Sequence, residues 1–298
     1  MFVNAIEEVS RFTRAIHTIS RSYSGLISPG SATLFFVNNE GVAITCKHVA
    51  ELILAADQVN TNYAHFKNEK NRLPQDNNYK RNLLSLELKY KLKAGNTVQL
   101  KNNFIDCVDR INNLECIAHP TLDIAILKFT GFNKVLNTSY ARFLKDPTKI
   151  KQGRSLCRLG YPFPEFNNFR YHETADDIEW TPEGNNNSPS FPIDGIVTRF
   201  VGGTNEYGDQ QITGIELSTP GLRGQSGGPL FDSEGLIYGM QSITGHLHLG
   251  FDIQNMEIVQ DGKKTSVSNH PFLHVGRCVH VDRIKEFLTQ NHIKFYEG

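Results

Sequence analysis

The apolar pattern changes period along the chain. At the start, Phe2, Val3, Ile6, Val9, Phe12, Ile16 and Ile19 recur every three or four residues, the spacing of an amphipathic helix packed on a protein body. Short β-type runs then take over. "SATLFFVNNEGVAITCKHVA" reads as a strand, a turn at Asn38, Asn39, Glu40 and Gly41, and a second strand, with a short helix-like "VAELI" after His48. From Leu84 to Leu92, "LSLELKYKL" alternates leucine with polar residues and predicts a half-buried strand. "NTVQL", "FIDCVDRI" and "DIAILKF" follow. A second series runs from "SLCRLGYP" through "DGIVTRFV", "QITGIEL", "PLFD", "LIYGMQSI", "HLGFDIQ" and "RCVHV". Helical spacing returns with Val281, Ile284, Phe287, Leu288 and Ile293, and Asp282 stands where it complements a helix start.

Many short strands separated by turn residues indicate an all-β sandwich or barrel. The two series, divided near residues 140–153, suggest two barrels. Residues 56–82 are poor in apolar side chains, and residues 173–190 are acidic and polar and hold the single tryptophan. From Lys67 to Lys101 there are nine basic and three acidic residues. Such runs are ordinarily solvated loops. The sharper alternative is that the 56–82 insertion, or the N-terminal helix, docks a regulatory protein partner.

Composition narrows the classes. The chain has 298 residues, 39% apolar and 21% charged, enough for an ordinary globular core. Lys+Arg and Asp+Glu both total 31, so no general attraction to nucleic acid or an anionic membrane is expected. No apolar run reaches the length of a membrane span. The first residues lack a basic region and are interrupted by Glu7 and Glu8, unlike a signal peptide. The five cysteines, Cys46, Cys107, Cys116, Cys157 and Cys278, are odd in number and irregularly spaced, which points to reduced thiols and a cytoplasmic location. His246 and His248 share one strand face, but with no third ligand evident they read as ordinary strand histidines. No metal or cofactor is expected.

Three segments carry chemistry. Ser226 in "GLRGQSGGPL" lies in a glycine-rich bend. His48 ends an apolar strand. Asp123 precedes the buried run "IAIL", where a carboxylate needs hydrogen-bond partners and a histidine N–H is a suitable one. Acyl transfer by serine requires a nucleophile, a base, an orienting carboxylate and N–H groups for the oxyanion. Gly224 lies two residues before Ser226, so their N–H groups can converge on one oxyanion. Gly227 and Gly228 clear side chains from where a substrate backbone would approach. Cys46, two residues before His48, is a redox-sensitive thiol near the site or simply a small buried residue.

With the order His, Asp, Ser and the motifs "TCKHV", "DIAIL" and "GQSGGPL", the chain resembles the chymotrypsin-fold (trypsin-like) serine endopeptidases. "LGYP", "GIVTRF" and "STPGLRGQSGGPLFDSEGLIYGM" are most similar to the bacterial HtrA-type and glutamyl-endopeptidase-type branch. The resemblance implies two six-stranded antiparallel β-barrels, one over 26–145 with His48 and Asp123, the other over 146–278 with Ser226. A helical extension over 1–25 and a closing helix over 279–298 flank them, and the PDZ domain usual in HtrA proteins is not expected. Digestive members place an aspartate before the nucleophile to receive a new N-terminus. Gln225 stands there instead, which argues against that activation. The resemblance puts Pro220 at the floor of the specificity pocket, against cleavage after Lys or Arg, and makes Gln241, Ser242, Ile243 and Thr244 the strand that lines the pocket and pairs with substrate. A polar or acidic side chain and a small apolar one both fit that pocket at this level. The expected function is a serine endopeptidase acting on protein or peptide substrates. The alternative is a partner-regulated or catalytically silent protease-fold module.

Overall fold

The computed structural model describes residues 1–204, 208, 210–260 and 262–298. The N-terminal pattern divides into two elements. α1 (Val3–Ser10) buries Ala5 and Val9, and the chain then turns into β1 (Thr13–Ser22). The helix expected through Ile19 therefore stops at Ser10, and residues 13–22, assigned to a helical extension, form a strand of the first sheet. β1 is covered on both sides, so Thr13 and His17 are buried with Ile16 and Ile19 and the two-residue alternation that would have marked a strand is absent. Phe2 holds α1 edge-on against Phe231 across the molecule.

β2 (Ile27–Phe36), β3 (Val42–Thr45), β4 (Thr97–Phe104), β5 (Asn113–Ala118) and β6 (Ala125–Thr130) complete a six-stranded antiparallel sheet in the order β4-β1-β2-β3-β6-β5. Its edge strands β4 and β5 do not pair with each other among the described residues. α2 (Lys47–Asn71) packs against both edges instead. The segment 56–82, expected as a surface loop, is therefore helix as far as Asn71. α2 inserts Tyr63 and Phe66 beneath α3 (Tyr79–Lys89), where they meet Leu86 and Val98. α3 also replaces the strand expected over Leu84–Leu92. Leu84 and Leu88 are exposed while Leu86 is buried, and Leu83 and Tyr90 flank it at helical spacing. Leucine, glutamate and lysine favour a helix, and no β-branched residue opposes it.

The second half contains β7 (Arg142–Phe143), β8 (Ser155–Gly160), the hairpin β9 (Phe169–His172) and β10 (Asp177–Trp180), β11 (Phe191–Thr204), β12 (Gln210–Leu217), β13 (Pro229–Phe231), β14 (Leu236–His248), β15 (Ile253–Gln260), β16 (Lys263–Asn269) and β17 (Phe272–His280). Pairings β8–β11–β12–β17–β14–β13 return to β8 and close a six-stranded antiparallel barrel. Closure removes the unpaired edges that an open sheet exposes. β7 and the final β18 (Tyr296–Glu297) add in parallel at one side. α4 (Val281–Gln290) buries Val281, Ile284, Phe287 and Leu288 as the periodicity predicted, and the His280 ring accepts from the Asp282 N–H at its start. One hydrophobic cluster runs through both halves, from Phe35 and Ile126 to Leu159 and Tyr238. The described residues contain no helix long and apolar enough to cross a membrane.

The polar segment 173–190 begins in the β9–β10 hairpin, whose turn grips α2. Lys67 Nζ donates to the carbonyls of Ala175 and Asp176, each at 2.9 Å, and the Tyr63 hydroxyl donates to Asp176 Oδ2 at 2.7 Å. The two segments that looked like separate surface insertions hold each other.

Candidate active site

His48 is the second residue of α2. Asp123 stands just before β6, in a turn fixed by the His119 ring, which accepts from the N–H groups of Thr121 and Leu122. Because β3 and β6 are paired, the residues following one strand and preceding the other meet. Asp123 Oδ1 accepts the backbone N–H of His48 at 3.1 Å, and both carboxylate oxygens lie 3.0 Å from His48 Nδ1. One carboxylate thus caps the helix start and orients the imidazole. Burial disfavours the Asp123 charge, but the bonds from His48 and Ser242 outweigh it and bring its pKa down to about 2. The hydrogen bond to Asp123 raises the His48 pKa against the opposing effect of burial.

The loop before β13 carries Ser226. Leu222 O accepts from Gln225 N at 3.0 Å, with Gly224 at φ +91° in the third position, the signature of a type II turn. Relative to a type I turn the central peptide is flipped, and the N–H of that peptide belongs to Gly224. Neither Gly224 N nor Ser226 N has a hydrogen-bond partner among the described residues. Both residues line a cleft of about 470 Å³ together with His48. Apolar side chains from β1 and α2, among them Ile16, Leu52 and Ile53, form its wall.

The glycines after the nucleophile have a different role from the one expected. A Cβ at Gly227 would lie 2.0 Å from Thr33 O, and one at Gly228 would lie 2.2 Å from Leu159 O. The backbone that comes close is the protein's own. Thr33 N bonds to Ser226 O, and Thr33 Oγ1 bonds to Gly224 O at 2.7 Å. β2 thereby fixes the nucleophile loop across the junction of the two sheets. Gln225 is fully buried and satisfied locally, accepting from Leu222 N and donating to Phe191 O.

Ser226 Oγ donates to the Ser242 carbonyl at 3.3 Å, and no hydrogen bond joins it to His48 among the described residues. Ser242 Oγ reaches Asp123 Oδ2 at 2.5 Å. His48, Gly224 and Ser226 share the cleft, whereas Pro220, Gln241, Ser242, Ile243 and Thr244 do not line it. Gln241 is buried against Gly221, the Thr244 hydroxyl bonds to Gly221 O at 2.6 Å, and Ile243 is exposed. Cys46 is buried, donates to Gln241 O and has its thiol pKa pushed well above normal by burial, the reverse of a reactive thiol. All five cysteines are unpaired.

Two groups escaped sequence reading. Arg158, in the middle of β8, is fully buried beside Gln241. Its signal was an arginine in the apolar strand "SLCRLG". His248, read as having no third ligand nearby, has its Nε2 at 2.7 Å from Asp252 Oδ1, and His270 Nδ1 lies 3.3 Å from the same oxygen. His270 arrives from the far end of the β15–β16 excursion, so spacing could not reveal it. His246 pairs with His274 on the neighbouring strand.

No curated protein matches the sequence. Solved structures with a similar course include the active form of the Rv3671c protease from M. tuberculosis, at 13% identity and TM-score 0.49, covering 99% of this chain and 86% of that one. Another is the HtrA-type protease AlgW with a tripeptide, at 14% identity and TM-score 0.46, covering 99% of this chain and 64% of that one. The trypsin-like peptidase domain family matches residues 30–240, a span that includes His48, Asp123 and Ser226. The chain belongs to the trypsin-like peptidase family of serine endopeptidases.

Proposed function

We propose that this endopeptidase acts through Ser226, His48 and Asp123, with a covalent acyl-enzyme intermediate. The observation that carries the reading is the Asp123 carboxylate at 3.0 Å from His48 Nδ1, with Ser226 and a free Gly224 N–H on the same cleft. In the reaction, Ser226 Oγ turns from the Ser242 carbonyl toward His48 and attacks the substrate carbonyl while the imidazole takes its proton. Asp123 holds the tautomer and stabilises the imidazolium. The N–H groups of Gly224 and Ser226 receive the oxyanion, and His48 returns the proton to the leaving amine. Water, activated by the same histidine, releases the acyl group. Protein or peptide is the substrate, and no cofactor is required.

A second reading, a protease held silent until a partner binds, is favoured by one observation. Thr244 Oγ1 donates to Gly221 O, tying the strand that the resemblance makes the pocket lining to the residue after Pro220, its expected floor. Mass-spectrometric mapping of cleavage sites in a proteome digest tests the first reading, with Ser226→Ala as control. Cleavage that persists in the variant would overturn it. A fluorophosphonate probe separates the two readings: immediate labelling of Ser226 in the isolated chain supports constitutive activity, and labelling only after addition of cell extract supports regulation.

A further inference from the structure

The hairpin of β15 and β16 leaves the barrel between β14 and β17, and little holds it there. Its strands pair only with each other among the described residues. Every residue in them except Ile258 is exposed. Two strands alone are marginally stable in water. The two ends of the excursion nevertheless meet. His248 closes β14, Asp252 stands immediately before β15, and His270 immediately after β16. Asp252 Oδ1 lies 2.7 Å from His248 Nε2 and 3.3 Å from His270 Nδ1. One ring nitrogen of each histidine and one carboxylate oxygen all lie within 4.8 Å of one another. Four of the chain's 11 histidines fall between residues 246 and 274, so imidazole is concentrated at this end of the ribbon. His246 and His248 share one face of β14, and His246 stands opposite His274. Hydrogen bonding to one exposed carboxylate would be satisfied by a single imidazole.

We propose that His248, Asp252 and His270 bind a divalent transition metal of the zinc class, and that the ion clasps the hairpin to the barrel by tying its two ends together. Two imidazoles and one carboxylate suit zinc better than calcium or magnesium, which take oxygen ligands. Tetrahedral zinc holds its nitrogen and oxygen ligands at about 2.0–2.2 Å, which sets them about 3.3 Å apart. Asp252 and His270 already stand at that separation. His248 withdraws by roughly 0.6 Å as its contact with Asp252 is exchanged for a shared ion. It then carries its ring proton on Nδ1 and offers the Nε2 lone pair to the metal. The side chains of His248 and His270 are 44% and 52% exposed, so the ion enters from solvent and water completes the fourth position. The clasp closes the whole segment between His248 and His270, the geometry in which a metal clip gains most from restricting the chain. None of the three residues lines the cleft of Ser226 and His48, and the proposal does not depend on the serine-protease reading.

The test has two arms. In the first, the full chain is freed of metal by a chelator and titrated with zinc chloride in a calorimeter, beside His248→Ala, His270→Ala and His48→Ala. The last variant is included because Cys46, His48 and Asp123 also lie within 4.8 Å of one another. Wild type is expected to bind zinc. His248→Ala and His270→Ala should each weaken that binding by about 100-fold or more, since loss of a residue that merely supports a ligand can cost as much. His48→Ala should retain it. Absence of binding by the wild type, binding unchanged in His248→Ala and His270→Ala, or binding lost only in His48→Ala overturns the proposal. The second arm reads the clasp. Hydrogen exchange over the segment between His248 and His270 should slow on addition of zinc in the wild type and not in His270→Ala. Exchange that zinc leaves unchanged in the wild type, or slows equally in both proteins, overturns the clasp. Failure of the protease reading would show separately, as absence of casein cleavage and of fluorophosphonate labelling at Ser226.

Discussion

The Ser242 hydroxyl donates to Asp123 Oδ2, the oxygen that also faces His48 Nδ1, while the Ser242 carbonyl accepts from Ser226. One residue of β14 therefore touches both ends of the proposed triad. Ser242→Ala removes a charge-assisted bond from Asp123 and one of the causes of its lowered pKa. Such bonds contribute about 1.5–3 kcal/mol. We expect kcat/KM to fall by about 10-fold or more, with KM nearly constant because the bond lies behind the reacting groups. Steady-state kinetics on a single peptide reads both quantities. A change confined to KM would contradict the assignment.

The pH dependence follows from two opposite shifts. His48 acts as base only when neutral, and Asp123 raises its pKa. Activity should therefore rise with pH through an inflection above the ordinary histidine value of about 6.5. Asp123→Asn removes the raising interaction, so the inflection should move to lower pH while kcat drops by about 10⁴. For stability, the folded-state pKa of Asp123 lies below its unfolded value. Its contribution is present above about pH 4 and is lost as pH falls toward about 2. The raised His48 pKa acts in the other direction. Its contribution is complete below the unfolded value and disappears as pH rises through the folded one. Urea unfolding of wild type and Asp123→Asn between pH 2 and pH 8 measures both, and the stability gap between them should narrow at the acid end.

Much of the site could be read from the chain because local motifs carried it. "TCKHV", "DIAIL" and "GQSGGPL" each fix a turn at the end of a strand, and a turn is written in consecutive residues. The partners of those turns could not be read, because they are made across the sheet junction. Thr33 reaches Gly224 over a separation of 191 residues, and nothing in "GSATLFF" marks that threonine. The same cause misplaced Gly227 and Gly228, whose close neighbours are Thr33 and Leu159. The first-half errors differ in origin. β1 is buried on both faces and lost its alternation, and α3 carries leucines at a spacing of two of which only Leu86 is buried. In both, tertiary packing and intrinsic propensity outweighed the apparent period.

Gly227 has φ +86°, and a side chain there would meet both Thr33 O and Thr45 Oγ1. Gly227→Ala combines left-handed backbone strain with a clash against a strand that cannot retreat, since Thr33 N is bonded to Ser226 O. We expect a loss of about 3 kcal/mol or more, read as a lower urea midpoint. Whatever fraction folds should label poorly with a fluorophosphonate, because the loop that carries Ser226 has to shift. Gly235→Ala offers the contrast. It also has positive φ, +76°, but its nearest neighbour is Val9 at 3.7 Å. Its cost should be the backbone term alone, on the order of 1 kcal/mol, with labelling unchanged.

Asp176 draws α2 and the β9–β10 hairpin to β1. Its carboxylate accepts from Tyr63 at 2.7 Å and from Tyr171 at 2.6 Å, and forms an ion pair with Arg21 at 2.9 Å. Arg21 is buried, so Asp176→Ala strands a cation whose remaining hydrogen-bond partners among the described residues are Gln99 and two phenols. Asp176 itself is only partly buried, so removing it costs less than breaking a fully buried pair, about 2 kcal/mol. α2 is also the element that supplies His48 and one wall of the cleft. If the helix behaves as one rigid body, loosening its middle at Tyr63 reaches His48 fifteen residues away, and kcat falls along with stability. If α2 frays locally, hydrogen exchange will accelerate over 57–71 while residues 47–52 stay protected and kcat is unchanged. We expect the second outcome, because Asp123 caps the helix start through His48 N, and Val49 and Ala50 are buried in the main core independently of the clasp. Exchange measured by mass spectrometry on wild type and Asp176→Ala, beside kcat on the same samples, decides between them.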